Sequence, residues 1–210
     1  MTEFLTTELL MRYGAETVPF KKGAMIFLQS DAAEYFWQVA RGKVKMSHYG
    51  EGGREFVQGY FTSGQSFGEP PFFAKVRYPA SAYAVEDSIV WRIGREAFMK
   101  LLREHFEVHA ALVQILSERL IYKSMMLSEV AFEEAEHRLR SLIKYLAREH
   151  DHESDFVVLL TRQQLADMTG LRVETVIRSI KSLESKGYLS IRKRRVVWYA
   201  KRKPIEGRVK

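Results

Sequence analysis

Apolar residues change their spacing twice along this chain. From residue 16 to residue 94 they come in short runs that alternate with polar positions and are broken by glycines, a texture that predicts strands. The runs fall at 16–20, 25–29, 35–41, 43–48, 55–61, 80–84 and 89–93, with Gly23, Gly42 and Gly64 between them. Gly42 and the 49–53 segment read as hairpin turns. So many short strands predict a sandwich or jelly-roll barrel. From 95 to 132 the period becomes helical. Phe98, Leu101 and Leu102 open this stretch, and Leu112, Val113, Leu116, Leu120, Met126, Leu127 and Val130 follow near a heptad, interrupted by Lys123. Such a long helix, with a stripe wider than one barrel needs, points to pairing with its own copy; a single helix packed on the barrel is the alternative. Further helices are expected at 2–13 and 137–149, a hinge at 133–136, a polar loop at 150–155 and a strand at 156–160. The fold class is α+β: a jelly-roll barrel over residues 1–94, a long dimerisation helix and hinge over 95–135, and a third module over 136–210.

That third module carries the most specific pattern, TRQQLADMTGLRVETVIRSIKSLESKG at 161–187. Thr161 and Gln164 have capping-box spacing, in which a hydroxyl accepts from an amide one turn on and the amide side chain reaches back. Leu165, Ala166 and Met168 give the first helix an apolar side, and Gly170 ends it. A second helix starts near Arg172. Val176, Ile180 and Leu183 recur on its inner face, with Glu174, Arg178 and Lys181 outside. This is a helix-turn-helix pattern, whose second helix enters the DNA major groove. Arg178 can donate twice to guanine O6 and N7, and Glu174 can accept from cytosine N4, contacts worth ~1–3 kcal/mol of discrimination. The alternative is an i,i+4 surface ion pair between them, worth only ~0.3–0.5 kcal/mol. Two strands, 188–192 and 196–199, follow as a hairpin wing whose tip, Lys193, Arg194 and Arg195, would touch phosphates.

Charge favours the DNA reading. The 210-residue chain has a net charge of +7, yet residues 136–210 hold 18 Lys and Arg against 9 Asp and Glu, while residues 1–135 hold 15 against 17. The basic excess lies wholly in the module with the paired helices, as phosphate binding requires. A merely solubilising surface needs no such segregation. The chain has no cysteine, which excludes disulfides, thiolate zinc sites, cysteine-ligated iron–sulfur clusters and thiol redox sensing. It shows no apolar run of membrane-span length and no signal-peptide pattern, so a cytoplasmic protein with no membrane partner is expected.

The segment GEPPFFAKVRYPAS at 68–81 breaks the strand pattern with glycine and prolines. It reads either as a short helix and loop at the barrel mouth, with free amides for an anion, or as a plain connection with Phe72 and Phe73 plugging the core.

The order of barrel, long helix and winged helix-turn-helix resembles the cyclic-AMP receptor protein/fumarate-nitrate regulator (CRP/FNR) family of bacterial transcription regulators. The resemblance rests on the 161–189 stretch, on Gly68–Glu69 and on YPASA at 78–82. It implies a cyclic-nucleotide-binding-like barrel, a homodimer on palindromic double-stranded DNA, RNA polymerase as a partner and control by a small effector. By position, Glu174 and Arg178 match the family's base readers, and Thr161, Arg162 and Gln163 match its phosphate-contacting helix start. Arg172, Thr175, Lys181, Lys193 and Arg194 complete the candidate DNA contacts. Arg172 stands where serine or threonine usually caps the helix, and Val173 where cyclic-AMP members carry a further arginine, so the VExxxR form is closer to the FNR side.

The effector set the resemblance implies is Gly68, Glu69, Arg77, Ser81, Lys123 and Ser124. It departs from the cyclic-AMP pattern, because the Arg-Ser pair that neutralises the cyclic phosphate falls at Pro79 and Ala80. Proline offers neither charge nor amide, and a lost charge-assisted bond costs ~1.5–3 kcal/mol. Cyclic AMP is therefore not expected unless Arg77 substitutes, and no other cofactor is indicated. Two other functions compete. A cupin-like metalloenzyme would need histidines converging in the barrel, and only His48 of the six lies in the strand region. A ligand-binding jelly-roll module without DNA leaves the basic C-terminal part unexplained. Neither a catalytic triad nor a P-loop pattern is visible, so no enzyme is expected.

Overall fold

The computed structural model describes residues 5–50, 55–132, 134–147 and 155–199. The chain divides into two compact units, Met1–Leu116 and Ser117–Lys210. In the first, α1 (Thr7–Arg12) precedes the strands β1 (Glu16–Phe20), β2 (Met25–Phe27), β3 (Tyr35–Arg41), β4 (Lys43–Tyr49), β5 (Glu55–Thr62), β6 (Ser66–Phe67), β7 (Ser81–Ala84) and β8 (Ser88–Gly94), with α2 (Glu69–Ala74) between β6 and β7. Thr6 caps α1, its hydroxyl accepting from the Leu9 amide at 3.2 Å. Two four-stranded antiparallel sheets result, in the orders β1-β8-β3-β6 and β2-β7-β4-β5.

Two expectations need correction here. Gly42 does not turn a hairpin, because β3 and β4 lie in different sheets. It makes a corner with φ +95°, where an added Cβ would lie 2.4 Å from Ser88 Oγ, so no side chain fits. The turn expected at 49–53 falls largely outside the described residues, though β4 and β5 do pair, from Lys43↔Thr62 to Tyr49↔Glu55. The second correction concerns the helical stretch at 95–132, which is two helices, α3 (Arg95–Glu104) and α4 (Phe106–Phe132). His105 breaks it with φ −130° and ψ 86°. The break resets the helical phase: Phe98, Leu101 and Leu102 enter the core before it, and Phe106 just after it is 74% exposed.

The core between the sheets is strongly aromatic. Phe36 stacks on Phe98 with centroids 3.9 Å apart, and Phe67 and Phe72 are fully buried. Each such side chain contributes roughly 1.5–3 kcal/mol of apolar burial. Phe72, on α2, is the core plug expected for this segment, while the backbone around it is helical rather than a plain connection.

The second unit contains the remainder of α4, then α5 (Ala135–Ala147), β9 (Phe156–Val158), α6 (Arg162–Thr169), α7 (Val173–Ser185), β10 (Leu189–Arg192) and β11 (Arg195–Trp198). The strands form one antiparallel sheet, β10-β11-β9. Leu139, Leu142 and Ile143 of α5, Leu165, Ala166 and Met168 of α6, and Val176, Ile180 and Leu183 of α7 are buried, beside Val158, Leu189, Val196 and Trp198 of the sheet. Tyr122 of α4 stacks on Tyr145 of α5 at 3.6 Å. Nearby, Glu129 is 7% exposed, accepts from Ser141 Oγ at 2.6 Å and lies 2.6 Å from His137 Nδ1. Among the described residues no helix is long and apolar enough to cross a membrane.

Candidate nucleic-acid interface

The paired helices form as their local chemistry requires. Thr161 Oγ1 accepts from the Gln164 amide at 3.1 Å, and Gln164 Oε1 accepts from the Thr161 amide at 2.9 Å, which closes the capping box. Gly170 ends α6 with φ +67°, and its amide donates to Ala166. Arg172 occupies the position before α7 in extended conformation, its side chain caps none of the first amides of α7, and it is exposed.

On α7 the buried residues Val176, Ser179, Ile180 and Leu183 hold the helix to the unit, which turns Glu174, Arg178 and Lys181 outward. Among the described residues no ion pair joins Glu174 to Arg178, so their exposed heads are not spent on each other. Thr175 is half-buried at the edge of this face. Thr161 and Gln163 are exposed at the start of α6, where Gln163 Nε2 donates to Asp167 at 2.7 Å, and Arg162 is half-buried beside them.

The wing is tighter than the sequence pattern suggested. β10 and β11 pair Arg192↔Arg195, which leaves Lys193 and Arg194 alone as a two-residue turn. Both have positive φ, 47° and 65°, as a type I′ hairpin requires and as glycine or asparagine would ordinarily supply. Arg195 belongs to β11 rather than to the tip. Arg162 Nη1 donates to the Arg194 carbonyl at 2.8 Å and so ties the wing tip to the start of α6. No spacing rule could have revealed that bond. A further residue escaped the sequence reading: Ile177, 41% exposed, sits on the outward side of α7. Its signal was an apolar residue lying off the apolar stripe.

The residues expected to form an effector pocket are less coherent. Gly68 precedes α2 with φ +76°, but a Cβ there would meet Phe27 Cζ at 3.1 Å and Tyr78 Cε1 at 3.2 Å, so aromatic rings cover that backbone. Tyr78 stacks on Phe27 at 3.7 Å, accepts from Trp37 Nε1 at 3.1 Å, and burial pushes its hydroxyl up to about 12. Glu69 is buried and accepts from Ser66 Oγ. Ser81 Oγ accepts from the Gln29 amide at 2.9 Å. Arg77 does not replace the missing arginine: it is exposed, and Nη1 donates to the Ser30 carbonyl at 2.7 Å because the Ala32↔Arg77 bridge holds its backbone at the rim. Lys123 and Ser124 are exposed on α4 within the second unit. Rings over Gly68, Pro79 and Ala80 without charge, and an outward Arg77 do not fit a cyclic phosphate.

A winged helix-turn-helix with an outward polar and cationic face, in one chain with a two-sheet barrel, is the architecture of a DNA-binding regulator. Sequence comparison agrees. Residues 17–105 match the cyclic nucleotide-binding domain and residues 137–201 the Crp-like helix-turn-helix domain, together most of the chain. The cyclic AMP receptor protein of Thermus thermophilus is 29% identical over 172 residues, 82% of this chain and 78% of that protein. The global nitrogen regulator of Synechococcus elongatus is 27% identical over 84% of this chain and 82% of its own. The structure of FixK2 from Bradyrhizobium japonicum superposes with a TM-score of 0.72 at 22% identity, covering 88% of this chain and 92% of that one, which shows the fold. The chain belongs to the CRP/FNR family of DNA-binding transcription regulators.

Proposed function

We propose that this regulator works as a homodimer that reads a palindromic operator, each subunit laying α7 in a major groove and its wing on the flanking phosphates. The three functional parts are the barrel to residue 94, the α3–α4 stretch with its hinge to 135, and the DNA-binding module from 136. Glu174 and Arg178 read bases; Thr161, Arg162, Gln163, Arg172, Thr175, Lys181, Lys193 and Arg194 hold the backbone or the groove edge. The observation that carries this reading is the outward face of α7, whose Glu174 and Arg178 have no partner in each other and follow a helix start that the Arg172 side chain does not cap. Pairing is supported by α4, where Phe106, Val113, Leu120 and Leu127 recur every seven residues and are 74, 51, 69 and 72% exposed. Such a ridge is what a second copy buries in a coiled coil. Bound to its operator, the dimer acts on RNA polymerase. Its effector is a small molecule other than cyclic AMP, a reading supported by the fact that among the described residues the barrel buries no Lys or Arg that could pair with a cyclic phosphate.

Selection of bound fragments from random duplex DNA, followed by anisotropy titration across salt, tests this reading. A two-fold symmetric site is expected, with affinity falling by roughly 10³–10⁵ between 50 and 200 mM salt if about 6–10 phosphates are neutralised. Protein that enriches no sequence, or binds without salt dependence, refutes it. Cyclic AMP should alter neither the intrinsic fluorescence of Trp37 nor DNA affinity.

A further inference from the structure

We infer that Ile177 reads a thymine methyl group in each half-site, an assignment that rests on the placement of α7 in the major groove proposed above. Ile177 lies three residues after Glu174 and four before Lys181, the spacings that put side chains in one row along a helix. Glu174 and Lys181 are both exposed, and Ile177 between them is 41% exposed. The core-facing residues Val176, Ser179, Ile180 and Leu183 are buried, so Ile177 is not a frayed member of the inner stripe. Val157, Leu159 and Ile191 are also exposed apolar residues of this unit, but they lie on or beside the small sheet and not on α7.

The chemistry of the groove narrows what such a side chain can recognise. The thymine C5-methyl is the one methyl group on a major-groove base edge; the cytosine C5–H is apolar but much smaller, and the other features are hydrogen-bond donors or acceptors. A sec-butyl group pressed on a donor or acceptor leaves it desolvated and unpaired, whereas against a methyl both surfaces leave water. Branching at Cβ restricts χ1, so the group is held in place before binding. Arg178 and Glu174 specify G·C pairs by hydrogen bonds, and Ile177 adds an adjacent A·T pair by packing.

The test is a double-mutant cycle on the sequence selected by the wild-type protein, in which each thymine is replaced in turn by deoxyuridine, lacking only the methyl. The wild type should lose about fourfold in affinity at one thymine per half-site, the effect of one buried methyl group. Ile177→Ala should bind the thymine site more weakly and show no further loss with deoxyuridine there, while Ile177→Val keeps most of the difference. Preference at the base pair read by Arg178 should persist in both variants. An equal deoxyuridine loss in the wild type and Ile177→Ala at every thymine overturns the assignment while leaving DNA reading intact. A wild type that selects no sequence at all overturns both. Circular dichroism of the variants should match the wild type, since an exposed position is altered.

Discussion

Replacing Lys193 and Arg194 with Asn and Gly should make the protein more stable and a poorer DNA binder. Both residues hold left-handed backbone, at φ 47° and 65°. For an ordinary L-residue that conformation costs roughly 1–2 kcal/mol. Asparagine tolerates it through local hydrogen bonding, and glycine has no Cβ to clash, although glycine gives back about 0.5–1 kcal/mol through the freedom it gains when unfolded. The net gain is about 1 kcal/mol. The Arg162 bond survives, because it goes to the Arg194 carbonyl and not to its side chain. For a unit of this size 1 kcal/mol raises Tm by about 4–8 °C, readable by calorimetry. The same change deletes two cations per subunit. If each meets one phosphate, the slope of log affinity against log salt should shrink by about 3–4 in the dimer. A lower or unchanged Tm would show that the turn is not strained. An unchanged salt slope would show that the tip does not reach DNA.

Other changes separate reading from folding. Arg178→Ala should lose ~1–3 kcal/mol of discrimination at one base pair per half-site, seen in competition against single-base operator variants; a uniform loss across sequences would make Arg178 a phosphate contact. Ile180→Ala, at a position 1% exposed, should cost about 2–5 kcal/mol of unfolding free energy in a denaturant titration. Burial alone would raise the Glu129 carboxyl, but hydrogen bonds from Ser141 and His137 outweigh it and hold the group below its ordinary range. A depressed carboxyl contributes stability above its unfolded value and loses it as pH falls through the folded one. Thermal stability of the second unit should therefore drop on acidification below the usual carboxylate range, and Glu129→Gln should flatten that fall; a wild-type curve already flat would count against the cluster. Finally, Leu120→Glu should convert the dimer to monomer in sedimentation and weaken operator binding steeply.

Local chemistry determined much of this protein from its sequence alone. Alternation placed the strands of the barrel, and the capping box, Gly170 and the stripe of Val176, Ile180 and Leu183 placed α6 and α7, because each rests on neighbours within a turn or two. Charge segregation located the DNA-binding module, since Coulomb attraction to phosphate needs cations gathered in one region. What required tertiary structure was anything set by distant contacts. β6 is two residues long and too short to show a period, and it is defined by its partners Trp37 and Gln38. Gly42 is a corner because Ser88 crosses it, and the break at His105 shifts the helical phase so that Phe106 turns outward while Leu112 still reaches the core that Phe98, Leu101 and Leu102 enter before it. The rings of Phe27 and Tyr78 over Gly68, the outward swing of Arg77 and the bond from Arg162 to the wing all join segments far apart in the chain. Periodicity reports which face a residue takes; only packing decides what meets it there.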